Sequence, residues 1–197
     1  MKTSYFSVPA LGNDKSTWRL AYQSVLSRPF VEYLHGLIQE DRWSDAVVGD
    51  TPQHDVEMRN CQQQPLPFST EVFDELTMHI QRANQEIWRF DLQGIDLRRD
   101  PPQFVQYKPG GEYRWHIDHG VSVSTRKLSF VVPLVEPSLY EGGDLEIFPP
   151  LADEEQVSMK KVGNIILFPS YVPHRVTPVV FGVRRVLIGW IHGSSFR

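Results

Sequence analysis

Four residues in the second half of the chain have types and spacings that suit a metal centre. These residues are His116, Asp118, His174 and Arg184. His116 and Asp118 are two positions apart, so on a β-strand both side chains project from the same face. The imidazole and the carboxylate could then chelate one ion, and His174 would supply a third ligand from a distant strand. Two histidines and one carboxylate on one side of a metal form the facial triad typical of non-haem Fe(II) sites.

Arg184 follows His174 by ten positions and lies on the next predicted strand. A guanidinium group that is held inside a barrel needs an anion. A dicarboxylate whose other end chelates the metal would provide that anion through bidentate hydrogen bonds. An isolated His-x-Asp pattern occurs by chance in many proteins. The distal histidine, the arginine and the surrounding β-type sequence together make the metal site the favoured interpretation.

Composition excludes several classes of protein. The chain has 197 residues, of which 41% are hydrophobic and 22% charged, which is ordinary for a folded domain and excludes a largely disordered chain. No apolar run reaches the roughly 18–20 residues that span a bilayer. The net charge of −4 gives no clear sign of nucleic-acid binding, which usually requires a basic surface. The single cysteine, Cys61, allows neither an internal disulfide nor a zinc site built from cysteines. The first residues lack the apolar stretch of a secretory signal, so we expect a cytoplasmic protein.

The first half of the sequence has helical periodicity. Apolar residues recur with helical spacing over 29–40 and again over about 70–90, where Ser69 or Thr70 can cap the second helix. We expect both helices to brace a sheet from outside. Residues 1–100 are therefore predicted to be a helical support region. We expect the whole of 1–197 to form a single domain that carries the metal site.

The second half, residues 101–197, has short β-type runs separated by Gly and Pro. Eight strands are predicted, over Gln103–Tyr107, Tyr113–Asp118, Lys127–Val135, Asp144–Phe148, Gln156–Lys160, Asn164–Phe168, His174–Pro178 and Arg184–His192. This pattern predicts an α+β fold whose catalytic core is a jelly-roll, the cupin-like double-stranded β-helix. The loop 119–125 and the polar segment 49–68 are candidate lids over its mouth.

Several stretches in this half resemble the 2-oxoglutarate- and Fe(II)-dependent dioxygenases of the prolyl 4-hydroxylase-like group, and most of all the bacterial PKHD-type hydroxylases. The resemblance covers about 103–192 and rests on Gln106 to Asp118, Arg126 to Ser129, Tyr140 to Leu145, Gly163 to Ser170, His174 to Val179, Gly182 to Arg184, and Trp190. The first hundred residues match more loosely, through a helix followed by 47–50 and 58–60.

The resemblance implies a role for each matched residue. It implies that His116, Asp118 and His174 bind Fe(II) and that Arg184 binds the C5 carboxylate of 2-oxoglutarate. Tyr107 matches a tyrosine that lines the cosubstrate pocket in relatives. The implied reaction uses O2 and releases succinate and CO2 while an unactivated C–H bond is hydroxylated. Ascorbate is an optional further cofactor.

Pro133 departs from the pattern of this group. Some animal prolyl hydroxylases have a tyrosine near this position that helps to hold the cosubstrate. Proline has no hydroxyl group, so Tyr107 or a water molecule would have to compensate. Asp118, by contrast, is the carboxylate ligand that the halogenating relatives lack, which argues against halogenation.

The remaining candidates have weaker support. His119 is a candidate for contact with the metal ligands or the substrate, and Trp190 for a wall of the pocket, whereas Trp115 should face away from His116. Arg59 and Arg126 could meet substrate, although solvated or paired arginines are the simpler interpretation, and packing is the simpler interpretation of His192.

Three functions remain open from sequence alone. The first is a 2-oxoglutarate-dependent hydroxylase acting on a prolyl residue, a free amino acid or a small metabolite, so its partner would be a small-molecule or peptidyl substrate. The second is a cupin-like metal dioxygenase that does not use 2-oxoglutarate, which Arg184 disfavours. The third is a non-catalytic binding or sensing module, which the intact triad disfavours.

Overall fold

The computed structural model describes residues 25–47, 55–148 and 159–196 in full, together with the backbone of two strands nearer the N-terminus. Helix α1 spans Arg28–Gly36 and helix α2 spans Thr70–Glu86. The strands are β1 (Tyr5–Pro9), β2 (Thr17–Tyr22), β3 (Ser44–Asp45), β4 (Arg59–Asn60), β5 (Gln62–Pro65), β6 (Leu92–Gly94), β7 (Gln103–Tyr107), β8 (Glu112–His116), β9 (Arg126–Pro133), β10 (Tyr140–Gly142), β11 (Leu145–Ile147), β12 (Ile165–Pro169), β13 (His174–Val176), β14 (Val179–Gly182) and β15 (Arg184–Gly193).

These strands form three antiparallel sheets. The large sheet has the order β1-β2-β12-β9-β15-β7-β5-β3, and β6 also pairs with β15. A four-stranded sheet has the order β11-β13-β8-β4, and a two-stranded sheet pairs β10 with β14. Most neighbours in the large sheet are distant in sequence, so the fold is built from long-range strand pairing.

The large sheet buries both of its faces, and the residues alternate between them as a two-residue period requires. Phe104 and Leu187 point to one face and pack with α1 and α2. Their neighbours Val105 and Val186 point to the other face and pack against β11, β13 and β14. The second cluster therefore lies between the large sheet and the smaller ones, and the candidate site lies in this same space.

The helices brace the outer face of the large sheet, as the sequence predicts. The Ser69 hydroxyl accepts a hydrogen bond from the Val72 N–H at 3.3 Å and so caps α2. The buried stripe of α2 consists of Val72, Leu76, Ile80, Ala83 and Asn84. The positioning role expected for both helices is therefore confirmed for the described residues.

The prediction that residues 1–100 are mainly helical is incomplete. Strands β1 to β6 lie in this region, and β2, β4, β5 and β6 extend the sheets that carry the predicted core. The segment 49–68, predicted as a lid, forms β4 and β5 over 59–65, while 48–54 lies outside the described residues. These strands have only two to six residues. Pairing with a partner strand, which a local pattern does not reveal, stabilises such short strands.

The eight predicted strands have varied outcomes. The prediction for β7 has the observed bounds, and those for β8, β9, β11, β12, β13 and β15 overlap the observed strands. The strand predicted at 156–160 falls mostly outside the described residues. Strands β10 and β14 lie between the predicted strands, and they pair with each other, with Tyr140 opposite Gly182 and Glu141 opposite Phe181. Within the described residues, no helix is long and apolar enough to cross a membrane.

Leu76 provides a test of the bracing role of α2. Its side chain is fully buried, at 0% exposure, whereas Met78 on the same helix is 55% exposed. Leu76→Ala should lower the free energy of unfolding by about 2–5 kcal/mol, because it leaves a cavity against the large sheet. Urea denaturation would measure this loss. Met78→Ala is the matched control, and equal losses in the two variants would contradict the packing described here.

Candidate metal centre and active-site pocket

Strand pairing brings the two predicted histidine ligands together. His116 ends β8 and His174 begins β13, and the two residues are direct partners in the antiparallel register. Residues that lie opposite one another in such a pair share one face of the sheet. Their ring centroids are 4.1 Å apart. The register therefore places two imidazoles on the inner face of the four-stranded sheet.

Asp118 completes the cluster from just beyond the strand. The predicted strand Tyr113–Asp118 ends at His116, so Asp118 lies in the following turn. The backbone N–H groups of Asp118 and His119 both donate to the Ser170 carbonyl oxygen, at 2.9 and 3.0 Å. This anchor on the loop after β12 turns the Asp118 carboxylate back towards the two imidazoles.

The three side chains have the geometry of a ligand set. One ligand atom from each of His116, Asp118 and His174 lies within 4.8 Å of the other two. The His116 Nε2 atom is 3.6 Å from Asp118 Oδ1, and the His174 Nε2 atom is 3.5 Å from Asp118 Oδ2. Among the described residues, this is the one group of His, Cys, Asp and Glu side chains that could hold a metal ion.

Backbone carbonyl groups orient both imidazoles. The Nδ1 atom of His116 lies 2.8 Å from the Arg114 carbonyl oxygen, and the Nδ1 atom of His174 lies 3.0 Å from that of Val172. A proton on Nδ1 donates to the carbonyl oxygen and leaves the Nε2 lone pair free. This arrangement fixes the tautomer of a metal-binding histidine and the direction of its ring.

Ser129 holds the carboxylate from the opposite sheet. Its hydroxyl donates to Asp118 Oδ2 at 2.7 Å and lies 3.0 Å from the Ser170 hydroxyl. Ser129 belongs to β9 of the large sheet, so the ligand cluster is tied to both sheets. Ser129 ends one of the stretches that carry the family resemblance, but the sequence assigned it no role, because its contact with Asp118 depends on how the two sheets pack.

The electrostatics favour protonation states that can bind a metal. Burial alone would raise the pKa of Asp118, but His174, His116 and the Ser129 hydroxyl outweigh it and hold that pKa well below its usual range. Burial lowers the pKa of His174 to about 4, and the neighbouring Asp118 only partly opposes this shift. At neutral pH the carboxylate is therefore ionised and His174 is neutral, which is the state that a metal ligand requires.

The cluster opens into a cavity of about 580 Å³ between the sheets. Arg184, Tyr107, Tyr113 and Trp190 also line this cavity. The guanidinium carbon of Arg184 lies 5.2 Å from the centre of the Tyr107 ring, and the two residues are direct partners between β15 and β7. The structure therefore brings the three predicted metal ligands and both predicted cosubstrate residues into one pocket.

Gly143 leaves the space that Arg184 occupies. A Cβ atom at this position would lie 2.9 Å from Arg184 Cδ and 2.9 Å from Val179 Cγ2. The residue also has a φ of +58°, which side chains disfavour. Gly143 therefore provides room for the predicted anion-binding side chain.

Arg126, by contrast, is fully paired. Its Nε and Nη2 atoms donate to both oxygens of Asp100 at 2.6 and 2.7 Å, and its Nη1 donates to the Asp118 carbonyl at 3.3 Å. The guanidinium lies 3.5 Å over the Trp190 ring, and His192 lies 3.2 Å from Asp100. The paired interpretation of Arg126 is thus observed, and its partner Asp100 was not recognised from sequence.

The secondary candidates also have defined places. Trp190 lines the cavity and Trp115 is 42% exposed on the outer face, as predicted. His119 lines the cavity mouth and packs edge-on against Phe196, with ring centroids 5.3 Å apart. The loop 119–125 also contributes Gly120, Val121, Ser122 and Val123 to the cavity lining, and its role as a lid stays a prediction.

The residues in the pocket fit Fe(II) and an anionic cosubstrate. Two imidazole nitrogens and one carboxylate oxygen, grouped on one side, match the donor set of an Fe(II) facial triad. The buried Nη1 atom of Arg184 has no hydrogen-bond partner in the part of the chain that the structure describes. A carboxylate that approaches from the cavity would satisfy this atom.

Comparison with known proteins identifies the family. The model of the 2OG-Fe(II) oxygenase superfamily matches residues 102–192. A PKHD-type hydroxylase from Acidovorax ebreus is 30% identical over 180 residues, which cover 87% of this chain and 77% of that protein. The chain belongs to the PKHD-type hydroxylases. Another member, from Synechococcus sp. CC9311, is 31% identical over 162 residues, covering 80% of this chain and 70% of the relative.

Solved structures share the fold of this hydroxylase at low sequence identity. A Pseudomonas putida prolyl-4-hydroxylase has a TM-score of 0.67 and 21% identity, covering 90% of this chain and 94% of that chain. A Trichoplax adhaerens prolyl hydroxylase was solved with a peptide fragment of hypoxia inducible factor. It has a TM-score of 0.70 and 15% identity, and the match covers 89% of this chain and 84% of that chain. The chain is therefore an oxidoreductase of the 2-oxoglutarate-dependent iron hydroxylases, which use Fe(II), 2-oxoglutarate and O2.

Ser129 offers a test of how the carboxylate is held. Ser129→Ala removes the 2.7 Å hydrogen bond to Asp118 and leaves the three predicted ligands in place. We expect Fe(II) affinity to fall about tenfold, because groups that orient metal ligands typically contribute this much. Anaerobic titration with Fe(II) would measure the change. Ser124→Ala, which removes only a surface contact with Ser195, is the control. Unchanged affinity in Ser129→Ala would show that Asp118 does not need this contact.

Proposed function

We propose that this PKHD-type hydroxylase uses His116, Asp118 and His174 to hold Fe(II) and hydroxylates an unactivated C–H bond of a prolyl residue. The observation that carries the proposal is the clustering of three ligand atoms within 4.8 Å at the wall of a cavity that also contains Arg184. The prolyl substrate is supported by the names of proteins that share its fold, the prolyl hydroxylases of Pseudomonas putida and Trichoplax adhaerens. A free amino acid or a small metabolite is the other candidate substrate.

The proposed core is the double-stranded β-helix, with residues 1–197 forming one dioxygenase domain. The support is the packing of the four-stranded and two-stranded sheets against one face of the large sheet, with both helices on its other face. Both hydrophobic clusters therefore include residues of the large sheet, one cluster on each face. The helical region and the core are packed on the same sheet and do not form separate hydrophobic cores. The partner is a small-molecule or peptidyl substrate that enters the cavity.

Each protein group then has a defined task. Fe(II), when bound, supplies the oxidative decarboxylation of 2-oxoglutarate and the hydroxylation of the substrate. His116 and His174 keep their protons on Nδ1, against backbone carbonyl groups, and present Nε2 to the ion. Asp118 stays ionised and is held by Ser129. Arg184 and Tyr107 bind the cosubstrate, and the buried side chains of Val131, Val176 and Val186 in the cavity wall limit the access of water.

A substrate screen would test the reaction and its substrate class. The measurement is the rate of succinate release by the Fe(II)-loaded enzyme with 2-oxoglutarate, in the presence of prolyl peptides, free proline or other free amino acids. Stimulation by prolyl peptides would support the proposal. Stimulation by free amino acids alone would overturn the peptidyl substrate and leave the hydroxylase assignment intact.

Asp118→Ala tests the metal site directly. The variant removes the one carboxylate of the cluster, so we expect hydroxylation to be lost together with Fe(II) binding. Asp74→Ala, on the exposed face of α2, is the control for loss of a carboxylate. If Asp118→Ala retained full product formation, the metal-site assignment would be wrong.

Arg184→Met tests the cosubstrate anchor. We expect the KM for 2-oxoglutarate to rise roughly 10- to 100-fold, because a charge-assisted hydrogen bond is lost in a buried site. The fall in kcat should be smaller, since the metal ligands are unchanged. Arg28→Met, which removes an exposed guanidinium group on α1, is the control. An unchanged KM would show that Arg184 does not bind the cosubstrate.

A further inference from the structure

A second buried guanidinium group, that of Arg59, lines the same cavity as Arg184. Arg59 is 8% exposed and Arg184 is 5% exposed. Each has one buried nitrogen, Nη2 in Arg59 and Nη1 in Arg184, that lacks a hydrogen-bond partner among the residues the structure describes. Two unsatisfied cationic donors in one cavity call for an anion, because an unpaired buried charge is costly.

A short chain of contacts links the two arginines. Arg59 Nε donates to the Cys61 sulfur atom at 3.3 Å, and the thiol of Cys61 is in turn within hydrogen-bonding reach of Tyr107. Tyr107 lies under the guanidinium group of Arg184, which is 5.2 Å from the ring centre. Arg59 and Arg184 therefore lie at the same end of the cavity, on either side of Cys61 and Tyr107.

The Arg59 side chain is held in place by neutral groups. Its Nη1 donates to the Val47 carbonyl oxygen at 3.3 Å, and its guanidinium carbon lies 4.9 Å from the centre of the Tyr113 ring. Neither Arg59 nor Arg184 has an ion-pair partner in the described part of the chain, whereas Arg126 in the same cavity is paired with Asp100. Within the described residues, the one carboxylate that lines the cavity is Asp118, which faces the two histidines.

On the neighbouring strand β9 of the same sheet, Pro133 offers Arg184 no second donor. The inner face of β9 continues from Ser129 and Val131 to Pro133, which lies opposite Val186 of β15. Proline has neither a side-chain hydroxyl nor a backbone N–H. A carboxylate at Arg184 therefore has one guanidinium on its β15 side and, on the β4 side, the free nitrogen of Arg59.

We infer that Arg59 is a second anchor for the distal carboxylate of 2-oxoglutarate, which it binds together with Arg184. This inference rests on the proposed function, because it uses the cosubstrate of that same site. Two guanidinium groups around one carboxylate can satisfy all of its lone pairs. The bound anion also relieves the repulsion between the two cations.

A binding experiment with two 2-oxo acids tests this role. Fe(II)-loaded protein is titrated anaerobically, by calorimetry, with 2-oxoglutarate and with 2-oxopentanoate, which has the same chain without the distal carboxylate. Arg59→Met should weaken 2-oxoglutarate binding roughly 10- to 100-fold, as expected for a lost charge-assisted hydrogen bond. It should leave 2-oxopentanoate binding within about twofold of the wild-type value, and Arg28→Met should change neither affinity by more than this.

Three outcomes would overturn the inference. The first is an unchanged 2-oxoglutarate affinity in Arg59→Met. If substrate-stimulated turnover fell in that variant without a change in this affinity, Arg59 would bind the substrate and not the cosubstrate. The second is an equal loss of affinity for both acids, which would indicate a general effect on the pocket. The third concerns Arg59→Gln, a neutral polar variant to be used if Arg59→Met does not fold. Wild-type selectivity between the two acids in Arg59→Gln would overturn the inference.

The same titration separates this inference from the proposed function. If wild-type protein binds no 2-oxoglutarate, the proposed function itself fails. If the wild type binds and Arg184→Met weakens binding while Arg59→Met does not, only the role of Arg59 fails.

Discussion

The structure depends above all on the antiparallel register between β8 and β13. This register sets His116 directly opposite His174, and a slip of one residue would turn one imidazole to the outer face. After a register shift the same pairing resumes at Val176, which lies opposite Tyr113, and β11 pairs with β13 so that Ile147 lies opposite His174. Both Ile147 and Val176 are buried between the sheets. Burial of apolar side chains thus fixes the register, and the register fixes the metal centre.

The metal centre also joins the two sheets that enclose it. The histidines belong to the four-stranded sheet, whereas Ser129 of the large sheet holds the Asp118 carboxylate. The Ser170 carbonyl, just beyond β12, accepts both N–H groups of the turn that carries Asp118. A change in how the sheets pack would therefore move the carboxylate relative to the imidazoles. This explains why so much of the chain, including the outer helices, serves to keep one sheet in place.

Charge is distributed along the cavity in a way that suits an anionic cosubstrate. The carboxylate of Asp118 is surrounded by imidazoles and a hydroxyl, whereas Arg184 and Arg59 line the same cavity and have no ion-pair partner among the described residues. Arg126 lines the same cavity but is neutralised by Asp100 and covers Trp190. The contrast separates an arginine that holds the structure from arginines that are available to a ligand. Burial alone does not distinguish them, but their partners do.

The sequence by itself determined the chemistry that can be read from residue types and short spacings. The His116-x-Asp118 pair, the distal His174, Arg184 and the five-residue strand ending at Tyr107 were all accessible, because strand periodicity and motif order are local properties. Only the tertiary structure decided which other groups meet them. Ser129 and Asp100 reach the site through contacts between residues far apart in the chain. Arg59, a candidate substrate contact from sequence, is placed by β4, a two-residue strand that pairs with β8. Local sequence does not encode which strands become neighbours. Strand order depends on burying the apolar residues of both faces of the large sheet at the same time, and these residues come from distant parts of the chain.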